Sequence, residues 1–175
     1  HPLGQRGELR DQMADVILRK GHRFGFTASS DSHGLLWHHG EARKRDPYRT
    51  GLTAVQAREL TREAIMEALQ KRRCYATSGA KLLLDLRADG EPMGSELFAQ
   101  DSALFEVDVI GTSALRSIEL VGQEGVMARV ELGDTEGHLR ARLASPFVYA
   151  RVVQEHGEIA WSSPVFLGPR RETSP

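Results

Sequence analysis

Leu82-Leu83-Leu84-Asp85-Leu86-Arg87, Phe105-Glu106-Val107-Asp108-Val109 and Val126-Met127-Ala128-Arg129-Val130-Glu131-Leu132 alternate apolar and polar residues with a period of two, Leu83 being the one break. Successive strand side chains point to opposite faces, so each run predicts a strand with one buried face. Working outward, Ile118-Glu119-Leu120 and Leu139-Arg140-Ala141-Arg142-Leu143 repeat the pattern, and Phe147–Gln154 and Val165–Leu167 complete the set. Asp89-Gly90, Gly111-Thr112, Glu124-Gly125, Gly133-Asp134 and His156-Gly157 mark turns between them. About seven short strands of this kind predict a β-sandwich over residues 81–175.

Residues 1–80 have a different character. Leu9, Met13, Val16 and Ile17 form one stripe of a helix over Glu8–Lys20, with Gly21 placed to end it. Phe24-Gly25-Phe26-Thr27-Ala28 reads as a buried strand, residues 34–50 as an irregular loop and Leu52-Thr53-Ala54-Val55 as a second short strand. A second helix spans Arg62 to Arg72, with Thr61 as N-cap, Leu60 and Ile65 spaced as a hydrophobic staple, and Ala64, Ile65, Ala68 and Leu69 on its buried stripe. Helix, strand, loop, strand and helix together predict a fragment of an α/β layer. Cys74 is the one cysteine, which excludes an internal disulfide. It reads as a small buried residue at a helix-to-strand corner.

Ser29-Ser30-Asp31-Ser32-His33-Gly34 follows the first strand. Asp31 and His33, two apart where a strand gives way to a loop, can turn a carboxylate oxygen and an imidazole nitrogen toward one point, which suits Zn, Mn or Fe as divalent ions. The same pair would also serve as a loop cap and an exposed histidine. Ser30 and Ser32 leave room for a substrate. His38 and His39, beside Trp37, are candidates for one further ligand or a proton shuttle. His22, His138 and His156 read as structural.

The chain has 175 residues, 40% hydrophobic and 27% charged, with a formal net charge of −1. No global field favours nucleic acid or an acidic membrane, and no apolar run approaches the roughly 20 residues that cross a bilayer. No targeting segment is present in the chain, which leaves its localisation open, cytoplasmic or secreted. There is no Gly-x-Ser-x-Gly elbow, Walker-type loop or Gly-x-Gly-x-x-Gly.

Taken in order, Gly25-Phe26-Thr27-Ala28-Ser29-Ser30-Asp31-Ser32-His33-Gly34, Gly51-Leu52-Thr53-Ala54-Val55, Leu60-Thr61-Arg62-Glu63-Ala64 and Arg72-Arg73-Cys74-Tyr75-Ala76-Thr77-Ser78-Gly79-Ala80 resemble the C-terminal part of a PHP-domain metallohydrolase of the CehA/McbA-like branch. Tyr149-Ala150-Arg151-Val152-Val153 and Ala160-Trp161-Ser162-Ser163-Pro164-Val165 are similar to that branch's closing β domain. The resemblance implies an α+β chain: residues 1–80 as the C-terminal α/β part of a metal-binding (β/α)₇ barrel, and 81–175 as a β-sandwich. It implies two or three divalent metals that activate water to hydrolyse a phosphoester, ester or carbamate of a small-molecule substrate. Asp31 and His33 match the family's last ligand motif. The family's opening His-x-His strand and its further ligands have no counterpart here. The expectation is therefore weak metal binding, little activity alone, and completion by an N-terminal barrel portion, another polypeptide or a homo-oligomer. The rival reading is a non-catalytic sandwich for protein or carbohydrate contact, with Tyr149 and Trp161 as a sugar platform.

Overall fold

The computed structural model describes residues 13–30, 50–98 and 101–168. In chain order these form α1 (Ala14–Arg19), β1 (Leu52–Val55), α2 (Arg62–Gln70), β2 (Cys74–Thr77), β3 (Leu83–Ala88), β4 (Glu91–Pro92) and β5 (Glu96–Phe98). There follow β6 (Ala103–Ile110), β7 (Leu115–Gly122), β8 (Gly125–Glu131), β9 (Glu136–Leu143), β10 (Phe147–Gln154), β11 (Ile159–Ser162) and β12 (Val165–Gly168).

Two sheets face each other. The smaller runs β4-β3-β6-β9, and the larger runs β1-β2-β11-β10-β7-β8, with β12 continuing along β10 and pairing β5. All pairings are antiparallel among the described residues except β12 with β5. Leu84, Leu86, Phe105 and Val107 of the smaller sheet meet Ile118, Leu120, Val148 and Val152 of the larger, all buried in one core. The strands expected from the period of two are present as β3, β6, β7, β8, β9, β10 and β12. Asp89 and Gly90 both have positive φ, +48° and +86°, as a two-residue hairpin between β3 and β4 requires.

The expected (β/α)₇ barrel fragment is not found. Barrel strands run parallel, whereas β1 pairs β2 antiparallel and β2 pairs β11 antiparallel. The strands around α2 thus enter the larger sheet, which contains residues from both sides of position 80. The buried strand expected at Phe24–Ala28 is not formed: the segment joins no ladder among the described residues and is only half-buried, with Thr27 exposed. Its backbone is met by side chains instead: Phe26 N–H donates to Ser163 Oγ at 3.0 Å and Ala28 N–H to Thr53 Oγ1 at 3.0 Å.

The helix ends follow their residues. Gly21, at φ +87°, closes α1, with its N–H on Leu18 C=O and that of His22 on Ile17 C=O. Thr61 caps α2 by accepting from Ala64 N–H at 3.3 Å. The expected staple is absent, because Leu60 is 94% exposed. At the other end of α2, Arg72 takes the left-handed conformation (φ +57°), while Arg73 and Arg72 N–H bond Ala68 and Leu69 C=O. Cys74 is buried where α2 gives way to β2, as its neighbours suggest.

Gly94 seals this corner to the sandwich. It has φ +86°, and a Cβ there would lie 2.3 Å from Lys71 O. Gly90 shares the positive φ but has open space around it. Gly90→Ala should cost about 1 kcal/mol from backbone strain alone, and Gly94→Ala about 3 kcal/mol or more because strain and backbone overlap add. Urea unfolding of the two variants checks this; equal costs would refute the close approach.

Candidate functional site

The centre of the larger sheet, β7 and β10, is largely buried on both sides. In β10, Val148, Ala150 and Val152 point into the sandwich, and Phe147 and Tyr149 point outward into a second apolar cluster with Leu18, Val121 and Phe166. Phe24, Phe26 and Trp161 pack against that cluster. Alternation predicts one buried face per strand; β7 and β10 bury both because α1 and the arm Arg23–Ser30 cover the outer face.

Strand register aligns one row across this outer face. Arg129 of β8 sits opposite Glu119 of β7, then Arg151 of β10, Trp161 of β11, Ala76 of β2 and Thr53 of β1. Glu119 is only 2% exposed. Its carboxylate accepts from Arg129 Nη1 at 2.8 Å and from Arg151 Nε. A buried carboxylate needs such partners, since an unpaired buried charge costs several kcal/mol.

The arm is fastened along its length. Glu96 accepts from Arg23 on one oxygen and from Arg72 on the other, the latter at 2.7 Å. Both guanidinium groups lie over the Phe166 ring, at 5.7 and 5.5 Å. The Phe26 ring meets Tyr149 edge-on, with centroids 5.2 Å apart. Gly25 passes close to Ser163, where an added Cβ would come within 2.9 Å of Oγ. At the far end, Thr53 Oγ1 accepts from Ala28 N–H and donates to Ala28 C=O at 2.8 Å.

Between arm, α1 and sheet lies a cleft of about 660 Å³, lined by Phe24, Phe26, Tyr149, Trp161, Arg151 and Asp15, among others. Its size suits a small molecule, and its apolar walls with a few polar groups fit the usual composition of such sites. Thr27 and Ala28 line its edge. Tyr149 and Trp161, the expected sugar platform, do share this cleft, but Tyr149 is 8% exposed and covered by Phe26, so it presents little ring face.

Asp31, His33, Ser32, His38 and His39 lie outside the described residues. Ser30 is the last described residue of the arm and is half-buried. Among the described residues, no three His, Cys, Asp or Glu side chains come together as a metal-binding group. His22 and His156 are exposed, and exposed His138 pairs Asp108 at 2.8 Å through Nδ1. The sequence singled out neither Glu119 nor the Arg23–Glu96–Arg72 link. Glu119 occupies a polar slot of a period-two strand, and nothing local distinguishes it from a solvated one.

The family model "Protein of unknown function (DUF3604)" matches residues 38–104. An uncharacterized protein of Chlamydia trachomatis is 31% identical over 172 residues, covering 86% of this chain and 28% of that protein. One from Chlamydia muridarum shows the same identity and coverage. One from Chlamydia pneumoniae is 31% identical over 194 residues, covering 93% of this chain and 30% of its own length. The chain thus spans less than a third of the curated relatives it matches. No solved structure matches.

Burial raises the phenol pKa of both Tyr75 and Tyr149 above its ordinary value. The unfolded chain then loses these protons first, so their contribution is complete below about pH 10 and is lost as pH rises through the elevated folded values. Thermal melts should show an alkaline fall that starts near pH 10 and is shallower in a Tyr75→Phe, Tyr149→Phe double variant. Glu119→Ala should destabilise the chain by about 2 kcal/mol, at the low end for a buried charge pair because both arginines reach solvent. Arg129→Ala should cost under about 1 kcal/mol, since Arg151 still pairs the carboxylate.

Proposed function

We propose that this chain is part of a divalent-metal-dependent hydrolase and contributes Asp31 and His33 as two of its metal ligands. The observation that carries the reading is the fastening of the arm. Its residue Ala28, three positions before the Asp-x-His pair in sequence, is tied through Thr53 to the edge of the larger sheet, beside the cleft. A carboxylate and an imidazole suit Zn²⁺ or Mn²⁺, and a held backbone reduces the entropy lost when they converge. The bound ion would supply Lewis acidity for hydrolysis of an ester, phosphoester or carbamate. Ser30 and Ser32 would border the substrate, and one of His38 and His39 would complete the shell or move a proton.

Two ligands are fewer than a metal site needs. The coverage of the relatives supports placing the remaining ligands in further polypeptide of a longer protein. The whole protein's substrate would be a small molecule of cleft size.

Elemental analysis of the purified chain, native and as an Asp31→Ala, His33→Ala double variant, tests the ligand assignment. The expected result is weakly held zinc, manganese or iron in the native chain and its loss from the variant. Equal metal in both removes these residues from the site. Metal in neither leaves the sandwich as a non-catalytic module.

A further inference from the structure

We infer that the hollow between the β1–α2 connection and the β3–β4 hairpin is a binding site for a phosphate dianion, free or as a phosphomonoester, held by Arg58, Arg73 and Arg87. The inference goes beyond the metal reading and does not depend on it. The hollow has a volume of about 360 Å³, and Gln56, Asp85 and Pro92 also line it. Three guanidinium groups against one carboxylate leave its walls with an excess of two positive charges. A dianion matches that excess.

Strand pairing brings these cations together. Arg58 follows β1, Arg73 precedes β2, and Arg87 lies in β3. Gln56 N–H donates to Arg73 C=O at 2.9 Å, which extends the β1–β2 ladder by one residue. Gln56 Nε2 then donates to Leu84 C=O at 3.2 Å and to Asp85 Oδ1 at 3.3 Å, which ties that ladder to the smaller sheet. Arg87 donates from Nε to Asp85 Oδ2 at 2.8 Å and from Nη1 to Gly90 C=O at 3.3 Å. The one carboxylate of the hollow is thus engaged on both oxygens. It fixes Arg87 in the wall and leaves Arg58 and Arg73 without a carboxylate inside the hollow.

Arg73 is held with donors to spare. Its side chain is only 16% exposed, and Nη2 donates to Glu67 Oε1 at 3.1 Å. Its Nε is buried with no acceptor among the described residues. Buried donors are normally satisfied, so this one is an anomaly that a bound acceptor at the guanidinium would relieve. Glu67 also takes Lys71 at 2.8 Å on the same oxygen, so its single charge is shared between two cations. Lys71 foremost, then Arg73 and Arg58, hold the Glu67 carboxyl below its usual range, which puts Arg58 in the same field. Arginine forks bond phosphate oxygens in parallel pairs and keep their charge at any working pH. A carboxylate offers two oxygens and one charge. A phosphate group offers three acceptor oxygens and nearly two charges, which suits three forks and the excess together.

The test follows the arginine Nε–H resonances of the ¹⁵N-labelled 175-residue chain by NMR at constant ionic strength. Inorganic phosphate, methyl phosphate or acetate is added at about pH 8, well above the phosphomonoester pKa near 6. The native chain is compared with Arg58→Gln, Arg73→Gln and Arg116→Gln, the last on β7 beside Glu155. Melting temperatures without added anion are measured in parallel. Both phosphates should shift Arg58, Arg73 and Arg87 saturably, and acetate should bind about 10-fold more weakly or less. Arg58→Gln and Arg73→Gln should each weaken phosphate binding about 10-fold, the loss of one charge-assisted hydrogen bond, and Arg116→Gln should leave it unchanged. Methyl phosphate bound as tightly as inorganic phosphate supports a monoester as the ligand, and a preference for inorganic phosphate supports the free ion. Arg58 is exposed, so Arg58→Gln separates binding from folding even where Arg73→Gln lowers the melting temperature. Shifts that do not saturate, an equal loss in Arg116→Gln, or native affinity in Arg58→Gln and Arg73→Gln overturns the site. Acetate bound as tightly as phosphate overturns the dianion assignment.

Discussion

Strand β10 hydrogen-bonds three other strands and is buried on both faces, and the rest of the molecule is arranged around that constraint. It pairs β7 along one side and β11 and then β12 along the other. Val148, Ala150 and Val152 bind the two sheets together, while Phe147 and Tyr149 recruit α1 and the arm. At its end, fully buried Gln154 accepts from Thr112 and Ser113 N–H at 2.9 and 3.1 Å, which holds the turn entering β7.

The polar groups on the outer face follow from the same burial. A carboxylate buried on that face must be paired. Glu119 therefore carries two arginines, and Arg23 and Arg72 share Glu96. These links, with the aromatic contacts of Phe26, hold the arm against the sheet beside the cleft. The proposed chemistry depends on where the arm delivers the residues after Ser30.

Much of the sandwich was legible from residue order. The β3, β6 and β9 runs carry a repeat that only a strand can bury on one side, and Gly21 and Thr61 mark helix ends by backbone chemistry that acts within a few residues. The short strands were harder. Cys74–Thr77 and Ile159–Ser162 have four residues each, too few to show a period. Leu60 and Ile65 had staple spacing, but no packing surface lies over Leu60.

The direction of β1 and β2 escaped the sequence altogether. A helix between two short strands is compatible with a parallel unit, and local residues say nothing about which edge a strand joins. That choice was made by the long-range ladder of β2 on β11, which draws both strands antiparallel into the larger sheet. The candidate site divides in the same way. Asp31 and His33 could be named from side-chain chemistry and spacing, because ligand atoms are local properties. The Thr53 tie to Ala28 and the burial of Glu119 exist only once distant strands are side by side. Sequence alone determined the strand periods and the helix caps and offered Asp31 and His33 as the candidates for the proposed metal; tertiary structure decided the pairing directions and what holds the arm, because both depend on contacts between residues far apart in the chain.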